Sequence, residues 1–317
     1  MKSQILRMKR SWMILIGLVF FTNVFVVGGY AEDIKKSFQV GSGGLLTIES
    51  DIGAIEVRST DGNRVDVEVL FRTDRWGRGD VEEFLKYFDV DFRQSGNDVF
   101  VKAEYNRERW NFWDSFGRHL RVKFLVTVPR KYNLDLKTAG GSISVDDLEG
   151  EVSSRTSGGS LDFGRIKGPL RGRTSGGSIK LDGCEEKVDV ETSGGSIGMG
   201  RVSGDVNAHT SGGSIHVEEV MGSIDATTSG GSVTAHISRQ PKNDCRLTTS
   251  GSGITVYLNR DVKLDVDART SGGRVRADFP ITTRGEVSKR SLKGKVNGGG
   301  PELYLRTSGG SISLREM

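Results

Sequence analysis

A six-residue segment recurs at a fixed spacing of eighteen residues through the second half of the chain. Its clearest copy is Thr156-Ser157-Gly158-Gly159-Ser160-Leu161, and the variant Thr138-Ala139-Gly140-Gly141-Ser142-Ile143 precedes it. The corner residues of three successive copies are Thr156, Gly158, Gly159, Thr174, Gly176, Gly177, Thr192, Gly194 and Gly195. A short fixed period indicates stacked copies of one unit, so the repeat constrains the fold more than any other feature.

Each repeat is predicted to contain two short β-strands and two turns. Counting Thr156 as position 1, positions 6, 8, 11 and 15 are occupied by Leu161, Phe163, Ile166 and Leu170. Apolar residues alternate with polar neighbours around these positions, which is typical of half-buried strands. One unit cannot close a core, so stacking must bury each aliphatic side chain against its equivalents. The predicted fold class is all-β, a single-chain β-solenoid with coils of about 18 residues.

Successive residues of a strand point to opposite faces, so the corner Thr is expected to point into the solenoid and the following Ser to point outward. We expect the Thr hydroxyls to bond to one another or to the backbone, and the glycines to supply positive φ at a tight corner. The corner is therefore interpreted as structural. The alternative is that the exposed Ser rows, or the charged rows beside the corner, contact a ligand.

Residues 32–135 do not follow the period. They are predicted to be a β-rich N-terminal part with one short helix at 79–88 and an insertion or capping segment at 72–120, followed by regular solenoid repeats over 136–317. Aromatic and arginine residues alternate within the insertion, and its candidate ligand-contact residues are Arg107, Arg109, Trp110 and Trp113. Such side chains can stack on sugars. They can equally cover the end or side of a solenoid, which needs atypical terminal units.

Residues 1–31 have the layout of a secretory signal peptide. Basic residues precede an apolar run, and the small residues Gly29 and Ala31 fit a cleavage site before Glu32. An uncleaved membrane anchor is the alternative. This segment holds four of the 45 Lys and Arg and none of the 41 Asp and Glu, so the rest of the chain carries 41 of each. We expect an exported protein of the periplasm, cell surface or extracellular space, with no nucleic-acid partner, because its overall field is not positive.

Two cysteines, Cys184 and Cys245, fall in coils that begin at Thr174 and Thr228 and lie three coils apart. Coils stack about 4.8 Å apart, which separates the two cysteines by roughly 14 Å. A disulfide needs Cα atoms within about 7 Å, so two free thiols are predicted, with Cys184 buried in place of an aliphatic residue.

The chain offers little of the chemistry that enzymes need. The adjacent acidic pairs are Asp146 and Asp147, Glu185 and Glu186, and Glu218 and Glu219. Neighbouring strand residues point to opposite faces, which disfavours a catalytic pair. The histidines are expected to be exposed and isolated, without the ligand set that zinc requires. We therefore expect no catalytic residues, no cofactor and no metal.

The stretch from Val126 to Val145 resembles the bacterial "putative adhesin" family. In it a Val-Pro strand, Val128-Pro129, leads into the first Gly-Gly corner and an alternating Ile143-Ser144-Val145 strand. The resemblance extends over residues 40–315 and implies an exported β-solenoid domain. It brings no catalytic or binding residues to this chain.

Three functions are compatible with these patterns. The leading hypothesis is a secreted, non-enzymatic scaffold of the bacterial cell envelope that acts in adhesion or surface binding, with an envelope polymer, glycan or protein along its flat faces. The chain stops soon after Ser311-Ile312-Ser313-Leu314 without an obvious cap. An envelope assembly or stress-response component that self-associates through open solenoid ends is therefore the alternative. A polysaccharide-active β-helix enzyme is the third hypothesis.

Overall fold

The computed structural model describes residues 33–73, 85, 87–105, 120–283 and 288–317. The elements that lie wholly within these ranges are β-strands, and they form two sheets; Leu85, isolated between undescribed residues, is helical. Within the same ranges there is no helix with the length and hydropathy needed to cross a membrane.

Sheet A has a spatial order that departs from chain order at both of its ends. From edge to edge it contains β1 (Ile34–Gln39), β4 (Arg64–Thr73), β7 (Leu120–Pro129), β3 (Ala54–Thr60), β9 (Ile143–Val145), β12 (Leu161–Lys167), β14 (Ile179–Cys184), β16 (Ile197–Val202), β18 (Ile215–Val220), β20 (Val233–Ile237), β22 (Ile254–Leu258), β28 (Ile312–Glu316) and β24 (Val275–Ala277). The short strand β10 (Leu148–Glu149) pairs with β12 outside this path.

Sheet B runs parallel to sheet A on the other side of the core. From edge to edge it contains β25 (Thr282–Thr283), β26 (Ser291–Val296), β23 (Leu264–Thr270), β27 (Glu302–Thr307), β21 (Cys245–Thr249), β19 (Ile224–Thr228), β17 (Val206–Thr210), β15 (Val188–Thr192), β13 (Leu170–Thr174), β11 (Val152–Thr156), β8 (Asn133–Thr138), β2 (Leu45–Ser50), β6 (Asp98–Tyr105) and β5 (Phe88–Ser95).

Each regular coil contributes one parallel strand to each sheet, and equivalent residues of successive coils are in register. In sheet A, Leu161 pairs with Ile179 and Ile179 with Ile197; in sheet B, Val188 pairs with Val206. All five side chains are at most 3% exposed. The core therefore consists of aliphatic columns between the two sheets, and the predicted β-solenoid with 18-residue coils is confirmed.

The corner threonines point inward, as their parity predicts. Thr156, Thr174 and Thr192 are buried, and each hydroxyl bonds to the coil below it. The Thr174 Oγ1 donates to the Gly159 carbonyl at 2.7 Å, and the Gly177 amide donates back to Thr174 Oγ1 at 3.3 Å. A buried hydroxyl without a partner would cost about 1–3 kcal/mol, so this bond favours the observed register of neighbouring coils.

The corner glycines are needed for a different reason from the one expected. The described glycines with positive φ are Gly43, Gly53, Gly96, Gly150, Gly298 and Gly299, and no glycine of the Thr-Ser-Gly-Gly corners is among them. The expectation of positive φ is therefore wrong. A Cβ atom built on Gly159 would lie 2.2 Å from the Gly141 carbonyl oxygen of the coil below. Close approach of successive coils, and not backbone conformation, excludes a side chain there.

The N-terminal part contains one coil whose sequence is only weakly similar to the repeat. Strands β2 and β3 stack on β8 and β9, with Ser50 opposite Thr138 and Ile55 opposite Ile143. The predicted helix at 79–88 lies mostly outside the described residues, and Phe88 begins strand β5. The division of the chain at residue 135 stays a prediction.

At both ends of the stack, one coil lies out of chain order. The coil β2–β3 lies between β6–β7 and β8–β9, and the coil β27–β28 lies between β21–β22 and β23–β24. The last strand, β28, therefore pairs with β22 on one side and with β24 on the other. The expectation that the chain stops at an uncapped strand edge is wrong, because the terminal coil is inserted into the stack.

Antiparallel strands extend the sheets beyond these inserted coils. Strands β4 and β1 continue from β7, β5 pairs with β6, and β26 and β25 continue from β23. The remaining edges at the C-terminal end are β24, with three residues, and β25, with two. Short edge strands limit pairing with other chains. Self-association through the ends stays a prediction; among the described strands, the sheet edges are β1, β5, β24 and β25.

Both cysteines are free and buried, which confirms the two predicted free thiols. Cys184 lies on β14 of sheet A between Ile166 and Val202 of adjacent coils, whereas Cys245 lies on β21 of sheet B. Burial raises the pKa of Cys184, and it raises the pKa of Cys245 to about 11. Both thiols are therefore expected to stay neutral and unreactive in the folded protein.

The two glycines of one corner give a matched pair of substitutions. Gly159→Ala places its Cβ 2.2 Å from the Gly141 oxygen, whereas Gly158→Ala places its Cβ 3.6 Å from the Gly140 oxygen, an ordinary contact. We expect Gly159→Ala to lower the free energy of unfolding by about 3 kcal/mol and Gly158→Ala to change it by less than about 1 kcal/mol. Urea unfolding followed by circular dichroism measures both; equal effects would contradict the close-approach explanation.

Burial of Cys245 predicts how stability depends on pH. The folded-state pKa of about 11 exceeds the ordinary value of 9.0, so the thiol ionises first in the unfolded chain. The free energy of unfolding should therefore be unaffected below about pH 9 and should fall as the pH rises towards 11. A Cys245→Val variant should lose part of this decrease. Rapid alkylation of both thiols by iodoacetamide in the folded protein would contradict the prediction.

Candidate functional site

Three concave regions of the described surface differ in the balance of charge on their walls. The first is lined by four cations and four anions: Arg130, Arg165, Lys167, Arg201, Asp147, Glu149, Asp182 and Glu185. The second is lined by three of each: Lys35, Lys36, Arg58, Glu56, Asp66 and Glu68. The third is lined by Arg269, Arg290 and Arg306 and by no carboxylate. We call this third region the arginine cleft, because it alone among the three has unbalanced charge on its walls.

Charges in the first region are largely satisfied by ion pairs between coils. Arg165 donates to the Asp147 carboxylate at 2.6 Å and 3.0 Å, and these bonds hold the pKa of Asp147 below its usual value. Lys167 lies 3.2 Å from Glu149, and Arg201 lies 2.5 Å from Glu219. Exposed pairs of this kind contribute little to stability, but they leave little net charge for an ionic ligand.

The arginine cleft is rich in hydroxyl groups. It has a volume of about 630 Å³, within the range of small-molecule and saccharide-sized sites. Its hydroxyl-bearing walls include Thr227, Ser229, Thr248, Ser250, Ser271, Ser291 and Ser308. Several of these serines are the exposed second residues of corners, so part of the predicted Ser row borders this cleft.

The inserted C-terminal coil assembles the cleft. In sheet B, Thr227 pairs with Thr248, Thr248 with Arg306, and Arg306 with Arg269. These residues lie on β19, β21, β27 and β23, and the row is continuous only because β27 lies between β21 and β23. Arg290, in the turn before β26, is the third arginine of the cleft. Its backbone carbonyl accepts a hydrogen bond from the Thr270 amide at 3.0 Å.

Arg306 is held in a fixed orientation. Its Nη1 donates to the carbonyl oxygens of Asp267 and Leu305 at 2.7 Å and 2.9 Å, and its Nη2 lies 2.9 Å from Asp267 Oδ1. The guanidinium also lies 4.0 Å from the centre of the Tyr304 ring, and that of Arg246 lies 4.4 Å from the same ring. Arg306 therefore supplies a fixed positive charge, whereas Arg269 and Arg290 are the groups able to reorient towards a ligand.

Among the described residues, one carboxylate, that of Asp267, lies within ion-pair distance of these cations. Asp267 Oδ1 lies 3.5 Å from Arg269, and its Oδ2 lies 4.0 Å from Lys293. Arg290 makes no ion pair with any residue of the described ranges. One acidic group therefore faces Arg269, Arg306 and Lys293, with Arg290 nearby, and the cleft keeps an excess of positive charge. Arginine and hydroxyl groups together suit oxyanions, because both donate hydrogen bonds and guanidinium adds charge.

The predicted ligand-contact residues Arg107, Arg109, Trp110 and Trp113 lie outside the described residues, so their role stays a prediction. In two of the acidic pairs, one carboxylate bonds to an arginine of a neighbouring coil: Asp147 to Arg165, and Glu219 to Arg201.

The prediction that the histidines are isolated is wrong for two of them. His216 and His236 have ring centres 6.3 Å apart, and His236 stacks at 4.2 Å on Tyr257. Stacked coils bring these rings together, and partial burial and the neighbouring His216 lower the pKa of His236. Among the described residues, no three His, Cys, Asp or Glu side chains are placed to hold a metal ion.

The comparison with protein families decides the classification. The profile of the Toastrack DUF4097 family matches residues 46–315 of the chain, which covers most of both sheets. The chain belongs to the Toastrack DUF4097 family. This agrees with the resemblance to bacterial adhesin-like domains inferred from the Val-Pro strand and the Gly-Gly corners.

Solved structures similar to this Toastrack chain have low sequence identity. A putative adhesin from Bacteroides fragilis is 12% identical, with 90% of this chain and 97% of that chain covered and a TM-score of 0.40. A putative lipid binding protein from Parabacteroides distasonis is 12% identical, with coverages of 90% and 96% and a TM-score of 0.41. A putative cell adhesion protein from Clostridium sporogenes is 13% identical, with coverages of 90% and 100% and a TM-score of 0.23. No curated protein matches the chain.

The repeat pattern indicated the charged rows beside the corner as a possible ligand surface, but it did not single out the arginines of the cleft. Arg269 and Arg306 are 37 residues apart in the chain, and they become neighbours only through the insertion of β27 beside β23. The signal available in the sequence was that the Toastrack repeat places Arg306 and Arg269 at the same position, directly before the corner Thr.

Proposed function

We propose that the protein is an exported, non-enzymatic β-solenoid scaffold of the bacterial cell envelope that binds an anionic ligand at the arginine cleft. The observation that carries this proposal is the charge of the cleft: three arginines line it without a carboxylate, whereas the two other concave regions are balanced. Because residues 32–317 carry equal numbers of basic and acidic residues, a local excess of this kind identifies the best surface for an acidic envelope polymer, glycan or protein.

The chemistry of the cleft supports binding and offers no reacting group. Guanidinium groups bind carboxylate, sulfate or phosphate with two parallel hydrogen bonds, and Ser and Thr hydroxyls add neutral donors. The hydroxyls of Thr227 and Thr248 lie 3.0 Å apart and bond to each other, and among the described residues neither is hydrogen-bonded to a basic side chain, although His209 lies opposite Thr227 on the next strand. The cleft is therefore proposed to hold an oxyanion rather than to transform it.

Export is supported by the sequence of residues 1–31, which lie outside the described residues. If they are a cleaved signal peptide, the mature protein begins at Glu32. Mass spectrometry of the protein recovered from the envelope or the medium should find this N-terminus. Recovery of the protein in the cytoplasm with residues 1–31 intact would contradict export.

A pair of variants tests the cleft. The double variant Arg269→Ala, Arg290→Ala removes two cations that do not carry the buried hydrogen bonds of Arg306, so the fold should be retained. We expect it to bind dextran sulfate about tenfold or more weakly than the unmodified protein, since each lost charged hydrogen bond costs about 1.5–3 kcal/mol. Biolayer interferometry with immobilised dextran sulfate measures the affinities.

The matched control is Arg276→Ala, which removes an exposed arginine from β24 of sheet A at the same end of the stack. It should bind as the unmodified protein does, and neutral dextran should not bind to either. Added salt should weaken the interaction, because exposed charges are screened. If the cleft variant and the control bind dextran sulfate with equal affinity, the proposal is refuted.

A further inference from the structure

A single row of side chains on the outer face of sheet B extends the arginine cleft along the solenoid. The row is formed by the residues directly before each corner Thr, and before Ser50 in β2, which lie opposite one another in successive strands. From β2 to β23 its members are Glu49, Lys137, Arg155, Arg173, Glu191, His209, Thr227, Thr248, Arg306 and Arg269. We call it the outer row. It contains five cations and two anions, so its net charge is positive.

The equivalent row of sheet A, over the same coils, is neutral. Its members are Glu56, Ser144, Asp162, Lys180, Gly198, His216, Thr234, Thr255, Ser313 and Arg276. Two anions and two cations cancel along it. The outer row is therefore more positive than its counterpart on sheet A. The neighbouring row of sheet B, two residues earlier in each strand, contains four anions and two cations: Asp135, Asp189, Asp225, Asp267, Arg171 and Arg246.

The outer row has two groups of cations. The first consists of Lys137, Arg155 and Arg173, and the second consists of Arg306 and Arg269 of the cleft. Arg173 is compensated by Asp189 and Glu191, at 3.7 Å and 3.5 Å. Neither Lys137 nor Arg155 makes an ion pair with a described residue.

Adjacent cations along the outer row lower the stability of the fold unless an anionic group lies close to them. Like charges directly opposite each other on neighbouring strands repel, and Arg155 has a cation on both sides. An anionic group bound across Lys137 and Arg155 would remove this repulsion. The same argument applies to the pair Arg306 and Arg269, which Asp267 only partly compensates.

Polar, mostly uncharged side chains connect the two groups. His209, Thr227 and Thr248 follow Glu191 along the row, and the exposed corner serines Ser193, Ser211 and Ser229 run beside them. Five coil spacings of about 4.8 Å separate Arg173 from Arg306, a distance of roughly 24 Å. The middle of the row therefore presents hydrogen-bonding groups suited to sugar hydroxyls over the length of several sugar rings.

We propose that the ligand is a linear acidic glycan that lies across the coils along the outer row, with anionic groups at the arginine cleft and at Lys137 and Arg155. The inference rests on the proposed function and specifies its ligand. Once a polymer has bound one of the two cationic groups, its contact with the other group is intramolecular, because both groups lie on one rigid scaffold. A polymer should therefore bind more tightly than a short fragment that reaches only one group.

A nucleic acid is the competing polyanion, and the row is less suited to it. Single-stranded nucleic acids are held by aromatic rings on which bases stack. In the described part of the row there is no aromatic residue other than His209, and the nearby Tyr304 ring is contacted by the guanidiniums of Arg246 and Arg306.

The test compares oligogalacturonides of increasing length, with isothermal titration calorimetry on the mature protein. We expect affinity to rise by about tenfold or more once the oligomer is long enough to span the six coil spacings from Arg155 to Arg306, roughly 29 Å. The variant Lys137→Ala, Arg155→Ala should lose this gain and bind short oligomers normally. The cleft variant Arg269→Ala, Arg290→Ala should bind all lengths weakly. Size-fractionated sulfated oligosaccharides form a second arm, which distinguishes a sulfate-bearing from a carboxylate-bearing glycan.

The outcomes separate this inference from the proposed function. Suppose that binding requires the arginine cleft but has the same affinity for short and long oligomers and for the variant Lys137→Ala, Arg155→Ala. This result would overturn the linear-glycan inference but leave the cleft as a binding site. Single-stranded DNA binding as tightly as the long acidic oligosaccharides would overturn the assignment to a glycan. Absence of binding to every anionic probe would refute the proposed function itself. Thermal melting of each variant, including the control Arg276→Ala, shows that the fold is retained.

Discussion

In the corners of the regular eighteen-residue coils, the second glycine lies so close to the corner below it that a side chain would collide with a backbone carbonyl; the corner that begins at Thr249 has Ser252 at this position. At Gly159, Gly177 and Gly195 a Cβ atom would lie 2.2 Å from that oxygen. The same carbonyl oxygens accept the hydroxyl bonds of the corner threonines, such as Thr174 to Gly159 at 2.7 Å. Tight approach and a directional bond together set the register between coils. All other columns of the structure, buried or exposed, follow from that register.

Inside the solenoid, the register produces aliphatic columns and isolates the cysteines in different sheets. Outside, it turns the sequence into rows of charge, because residues eighteen positions apart in the chain become neighbours. One row, on sheet A, is balanced by acidic and basic residues. The outer row of sheet B keeps a positive excess, and the arginine cleft lies at its C-terminal end. The function proposed for this Toastrack protein therefore depends on the same geometry as its stability.

The sequence predicted the features that depend on the repeat period, but it did not predict the features that depend on the order of the coils in the stack. The period predicted the coil length, the inward Thr and the buried apolar positions, because each depends only on residues eighteen apart. It could not predict that β27 lies between β21 and β23, since a coil's place in the stack need not follow its place in the chain. The arginine cleft depends on that insertion. The stacking of His236 on Tyr257 was missed because their spacing of twenty-one residues spans a longer turn.

The central claim is that one face of the solenoid, and not the other, binds an acidic polymer. Arginine-specific modification with phenylglyoxal, read by mass spectrometry with and without a long acidic oligosaccharide, tests this claim most directly. The account predicts protection of Arg155, Arg269 and Arg290 on the face of sheet B, with Arg276 and Arg315 of sheet A modified at an unchanged rate. Equal protection of arginines on both faces, or protection confined to sheet A, would contradict it.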